Sequence, residues 1–122
     1  ANQGRLAEAT EWCEKAIGRD KLNAGCHYLL ATVQQERGQI EDAVVTLRRA
    51  LYLDPKFVLA HFALANLVRL QGGIEQSEKH FANSLSLLDE YRPEDILPES
   101  EGMTAGRLVE IIHVVRSREM TE

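Results

Sequence analysis

Clustered positive charge is missing from this sequence. Fourteen Lys and Arg against nineteen Asp and Glu leave a net charge of −5, and the basic residues form no stripe of the kind a nucleic-acid face requires. Long apolar runs are missing too. Nothing approaches the roughly 18 apolar residues of a membrane span, and Ala1 does not open a signal peptide. Aromatics are only 6% of the chain, so a core must come from Leu, Ala, Ile and Val, which suits helices that approach closely. Three prolines beside 44% hydrophobic and 27% charged residues exclude general disorder. Cys13 and Cys26 form neither a CxxC pair nor a disulfide framework, so reduced thiols and a cytoplasmic location are expected. No GxSxG, GxxxxGK[ST] or HExxH pattern occurs, and no carboxylate pair can be assigned to acid–base work. No enzyme site and no cofactor are therefore expected in these 122 residues, which are enough for one domain.

What is present is a repeat. Gly4, Gly38 and Gly72 recur with a 34-residue period, followed in register by Leu6, Ile40 and Ile74, by Ala9, Ala43 and Ser77, by Cys13, Leu47 and Phe81, and by Ala16, Ala50 and Ser84. Upstream of the second and third glycines, His27 matches His61, Leu30 matches Leu64 and Ala31 matches Ala65. His27, Leu30, Ala31 and Gln34 are spaced as one stripe of a helix; Ile40, Ala43, Leu47 and Ala50 form a second beyond Gly38. Gly38 stands where a residue just past a helix must take positive φ. Asp54-Pro55 ends the second helix, with Asp54 expected to cap the next one and Pro55 to open it. The spacing predicts helices at about 5–18, 24–37, 40–53, 57–71 and 74–88. After an acidic segment, a last helix is expected at about 105–118, with Thr104 as N-cap and Leu108, Ile111, Ile112 and Val115 as its apolar stripe.

The period and columns resemble the tetratricopeptide repeat. The family's large residue–Leu–Ala set matches His27/Leu30/Ala31 and His61/Leu64/Ala65; its Ala–aromatic–Ala then Pro matches Ala43/Leu47/Ala50/Pro55. His stands for the usual Trp, Leu47 for the aromatic, and Asp89 for the second repeat's Pro. The resemblance implies an all-α, right-handed superhelical solenoid of antiparallel helix pairs, about 2.5 repeats, closed by a C-terminal capping helix. Residues 1–23 read as the second helix of a truncated repeat, 24–57 and 58–89 as full repeats, 90–103 as an acidic linker and 104–122 as the cap. The chain has no initiating Met and starts inside a repeat, so it is expected to be a fragment.

In this family the first helices line the concave surface. By register the groove positions are Tyr28, Thr32 and Gln35, then Leu59, Phe62, Asn66 and Arg69, a mixture of aromatic, amide and guanidinium groups suited to a peptide or helix. A protein or peptide partner is expected there, with Phe62, off the packing stripe, as anchor; no nucleic acid and no membrane insertion are expected. The family's chaperone-binding branch clamps a terminal carboxylate with Lys and Asn, but Tyr28 and Thr32 occupy those positions here. The four histidines read as packing residues, not metal ligands. Cys13 reads as a small core hydrophobe. Trp12 reads as a binding anchor or as a residue packed on an upstream helix, and the open N-terminal end as a site of self-association. The six carboxylates from Asp89 to Glu101, opposed by Arg92 alone, read as a solvated loop.

From His61 onward the likeness narrows. His61-Phe62-Ala63-Leu64-Ala65-Asn66-Leu67, His80-Phe81-Ala82-Asn83-Ser84-Leu85 and, above all, Pro98-Glu99-Ser100-Glu101-Gly102 with Thr104-Ala105-Gly106-Arg107-Leu108 resemble the C-terminal region of bacterial chemotaxis-receptor methyltransferases with an appended tetratricopeptide module. That resemblance implies a parent enzyme methylating receptor glutamates with S-adenosylmethionine, its catalytic residues upstream of Ala1, and a module here that binds a receptor, a regulator or the catalytic domain. Two other readings stand beside it: a scaffold from an unrelated pilus or secretion assembly factor, and a self-association module.

Overall fold

The structure, a computed structural model, describes residues 2–120, with side chains described from residue 4 to residue 117. Six helices follow one another: α1 Asn2–Arg19, α2 Ala24–Glu36, α3 Ile40–Leu53, α4 Val58–Leu70, α5 Ile74–Leu88 and α6 Ala105–Met120. No strand occurs among the described residues; one isolated antiparallel bridge joins Ile96 and Thr104. Consecutive helices pack on one another, α2 on α3 and α4 on α5 most extensively, which is the pairing a helix–turn–helix repeat requires.

The turns within the pairs are alike. Gly38 (φ 79°) and Gly72 (φ 87°) adopt the left-handed conformation. Around them Gly38 N–H donates to Gln35 O and Gln39 N–H to Gln34 O, and one repeat later Gly72 donates to Arg69 O and Gly73 to Val68 O. This double closure satisfies the last carbonyls of α2 and α4. Gly4, the third member of the column, instead lies inside α1 without positive φ. No helix precedes it among the described residues, so there is no helical end for it to cap.

The turns between pairs differ from expectation. Asp54 does not cap α4, which begins three residues after Pro55, at Val58, with Phe57 as N-cap. Asp54 folds a tight turn, its side chain accepting from Lys56 N–H at 3.1 Å and its carbonyl from Phe57 N–H at 3.1 Å. Asp20 makes the same turn 34 residues earlier, with Leu22 and Asn23 as donors. Asn23 is the working cap there, accepting from Cys26 N–H at 3.2 Å.

The core runs along the repeat stripes. Leu47, Leu64, Leu67 and Phe81 are fully enclosed, with Ala31, Ala43, Ala50 and Ala65 where backbones come close. Ser77 and Ser84 replace alanine in the third repeat and are fully buried. Helix α6 extends this core with Ala105, Leu108 and Ile112, while Ile111 and Val115 pack at its edge. An ion pair from Arg116 Nε to Glu78 Oε2 at 3.1 Å ties α6 to α5, and Thr104 caps it by accepting from Arg107 N–H at 3.2 Å.

Candidate partner-binding face

The expected groove residues fall into three settings. Thr32 and Gln35 on α2 are exposed, and Asn66 and Arg69 on α4 are half-buried. Tyr28 and Phe62 are half-buried with their rings against core aromatics, Tyr28 on Phe57 at 5.1 Å and Phe62 on Phe81 at 6.1 Å between centroids. Phe62 thus packs on the core that its position off the stripe suggested it would avoid. Leu59 is buried and forms wall, not rim.

An open cleft of about 510 Å³ lies at the N-terminal ends of α2 and α4, lined among others by Asn23, Gly25, Phe57, Leu59, Tyr91 and Glu99. Tyr91 and Glu99 come from the segment between α5 and α6, read from the sequence as a solvated acidic linker. Its carboxylates do face solvent for the most part, but the backbone is folded back and anchored. Leu97 is buried, and Tyr91 and Met103 pack on the core. Ala105 N–H donates to Asp95 O, Gly106 N–H to Pro93 O, and Leu97 N–H to Met103 O, closing the loop at its base. Ser100 pins the tip: its hydroxyl donates to Leu97 O and accepts from Met103 N–H at 3.0 Å. The flanking Glu99 (φ 59°) and Glu101 (φ 56°) take left-handed backbone conformations, a strained state for residues other than glycine.

The tip reaches α2. A methyl group on Gly25 would come within 2.9 Å of Glu99 Oε1, so the missing side chain is what lets this carboxylate lie on the first turn of α2. The free N–H groups there favour an anion. Burial raises the pKa of the Tyr28 phenol; its hydrogen bond with Thr32 acts in the opposite sense, and the charges of Glu101 and Glu99 raise it further. The acidic loop and the α2–α4 face are therefore one surface at this end. Sequence reasoning missed Gly25, which carries no repeat signal; its role exists only because a distant loop lands on it.

At the other end of α2, Thr32 lines a shallow apolar depression of about 370 Å³ with Trp12, Leu29 and Val33. Trp12 is 61% exposed there. Cys13 is buried beneath, its thiol pKa raised by burial and then by Cys26 and Glu14, and both cysteines are free thiols.

His27 and His61 have a shared structural task. His61 Nε2 lies 2.8 Å from Pro55 O and His27 Nε2 lies 3.2 Å from Lys21 O, so each ring donates across the turn that links its repeat to the previous one. Among the described residues no group of three or more His, Cys, Asp or Glu could hold a metal ion. No helix among the described residues is long and apolar enough to cross a membrane.

A solenoid of paired helices with matching turn geometry defines a repeat protein of the tetratricopeptide class. The tetratricopeptide repeat family model matches residues 2–67, and the chain belongs to that family. The comparison with curated proteins gives no match. Among solved structures, MamA from Desulfovibrio magneticus RS-1 is 20% identical over 70% of this chain and 49% of its own, with a TM-score of 0.66. The chain thus spans about half the length of that protein. The type III secretion translocator chaperone SycD of Yersinia enterocolitica is 16% identical over 98% of this chain and 77% of its own, TM-score 0.74. PcrH, solved with the chaperone-binding region of PopD, is 19% identical over 97% and 84%, TM-score 0.72. At these identities the likeness is one of fold.

Proposed function

We propose that this module binds a protein partner, as an extended peptide or a helix, on the face that α2 and α4 share. The observation that carries the reading is the open cleft at the N-terminal ends of these helices, with apolar walls at Phe57 and Leu59 and polar edges at Asn23 and Glu99. Along the same helices Gln35 and Thr32 offer exposed polar groups, and Asn66, Phe62 and Arg69 are half-exposed. Tyr28 and Phe62 contribute the parts of their half-buried rings that Phe57 and Phe81 leave uncovered. Panning a displayed peptide library against the chain, then mapping amide shifts with a selected peptide, tests the site. Perturbations should cluster at Thr32, Gln35, Phe62 and Asn66 and around the cleft; a map confined to α3, α5 or α6 refutes it.

The finer reading places the module as the C-terminal appendage of a chemotaxis-receptor glutamate methyltransferase, supported by the likeness of the Pro98–Leu108 stretch to that region. The partner is then a receptor, a regulator or the catalytic domain itself. A secretion-type scaffold is the second reading, favoured by the fold shared with SycD and with PcrH, the latter solved with a segment of PopD. Reading the gene on the upstream side separates them: a methyltransferase domain supports the first, a secretion or pilus assembly locus the second.

A further inference from the structure

The acidic loop has a complement on the opposite helix of the repeat. A depression of about 420 Å³ on α3 has an apolar floor of Val45 and Leu53, with Tyr52 standing beside it, and every charged residue that lines it is a cation: Lys21, Arg48 and Arg49. Tyr52 is 87% exposed, an unusual burden for a large ring in a chain of net charge −5, next to three cations with no acid among them. Leu53 also lines the α2–α4 cleft, whereas Lys21, Val45, Arg48, Arg49 and Tyr52 do not. The loop presents the matching features: Ile96 is 58% exposed, with Glu94 and Asp95 beside it. Arg92 sits 4.0 Å from Glu94 at the solvent surface and offsets only part of this charge. The loop is held by buried Leu97 and by Glu99 beside Gly25 of α2, so it lies on the cleft side of its own molecule and does not line the depression.

We propose that the α3 depression receives the acidic loop of a second copy of this chain, with Ile96 seated over Val45 and Leu53 and the carboxylates facing Arg48, Arg49 and Lys21. Because the two surfaces differ, the contact is head-to-tail and each copy keeps one free donor and one free acceptor, so association grows in steps. Exposed charges dominate it, so it weakens as salt shortens the screening length.

Sedimentation velocity on the chain, from about 10 µM to about 1 mM protein and at ~50 mM and ~500 mM NaCl, reads this directly. The expected result is concentration-dependent growth at low salt that declines at high salt. Ile96→Glu and the pair Arg48→Glu/Arg49→Glu should each weaken association about tenfold or more, with helix content unchanged since all three positions are exposed. Tyr52→Ser serves as a second, milder lesion of the depression. The decisive arm mixes the loop variant with the depression variant: one intact surface on each should restore a dimer that grows no further. A monomer at every concentration overturns the proposal. So does association indifferent to both lesions, including association lost instead in Trp12→Ser, which would place the contact at the N-terminal depression.

Discussion

His61 and His80 face each other Nδ1 to Nδ1 at 3.5 Å. The Nε2–H of His61 is given to Pro55 O, which leaves Nδ1 as the atom that faces His80. Burial, then His61, Arg48 and Lys79, push the His80 pKa down to about 4. The folded value lies below the ordinary one, so the unfolded chain binds the proton that the native state excludes. This stability is present above about pH 6.5 and is lost as the pH falls towards 4. Urea melts at pH 7 and pH 4 should show wild type losing on the order of 2 kcal/mol more than His80→Gln. Equal losses in the two proteins would remove His80 from the account. Ser77 makes an opposite prediction. Its hydroxyl is buried without a hydrogen-bond partner in a column where the previous repeat has Ala43. Ser77→Ala should therefore stabilise the fold by about 1 kcal/mol, read as a higher urea midpoint at unchanged slope. His27 and His61, 34 residues apart, were legible as packing residues, but their bonds to the Lys21 and Pro55 carbonyls were not; His113, read the same way, is exposed. Those bonds depend on how the inter-repeat turn folds back, a distance that no side-chain pattern encodes.

Among the helices, periodicity marked what is periodic and misread what is not. Helices α3 and α5 stand at their expected bounds because their apolar stripes end at turn residues on both sides. Helix α4 starts late because Asp54 serves the turn before it. The loop from residue 89 to 104 was legible as acidic and non-helical. Its fold was hidden, since Tyr91, Leu97 and Met103 anchor it at no regular spacing. Helix α6 is the element whose energetic role is simplest to test. Leu108 and Ile112 are fully buried against the last repeat, so ending the chain before Thr104 should cost on the order of 4 kcal/mol and expose apolar surface. Thermal melts and light scattering of the truncated chain should show a lower midpoint and aggregation. An unchanged melt would mean that α6 docks without capping.

On the scale of the whole molecule, charge and shape divide between the first helices and α3. The first helices carry the cleft and meet the acidic loop; α3 carries the basic, apolar depression. The repeat architecture was readable from one sequence; the basic depression on α3 was not, because Lys21 joins Arg48 and Arg49 only in the fold. Which groove positions are free to bind was not readable either, because Tyr28 and Phe62 rest on Phe57 and Phe81, and Leu59 is buried, none of which the helical register alone encodes. Phe62→Ala should accordingly lower stability by about 2 kcal/mol in a urea melt, and this loss has to be separated from any effect on binding. Gln35 and Asn66 avoid that difficulty, as neither side chain belongs to the buried core. The most direct measurement is therefore calorimetric titration of a selected peptide into wild type, Gln35→Ala/Asn66→Ala and Arg49→Ala. Binding on the α2–α4 face predicts affinity about tenfold weaker, ~1.4 kcal/mol, in the first variant and unchanged in the second. Unchanged affinity in Gln35→Ala/Asn66→Ala with a loss in Arg49→Ala would contradict it.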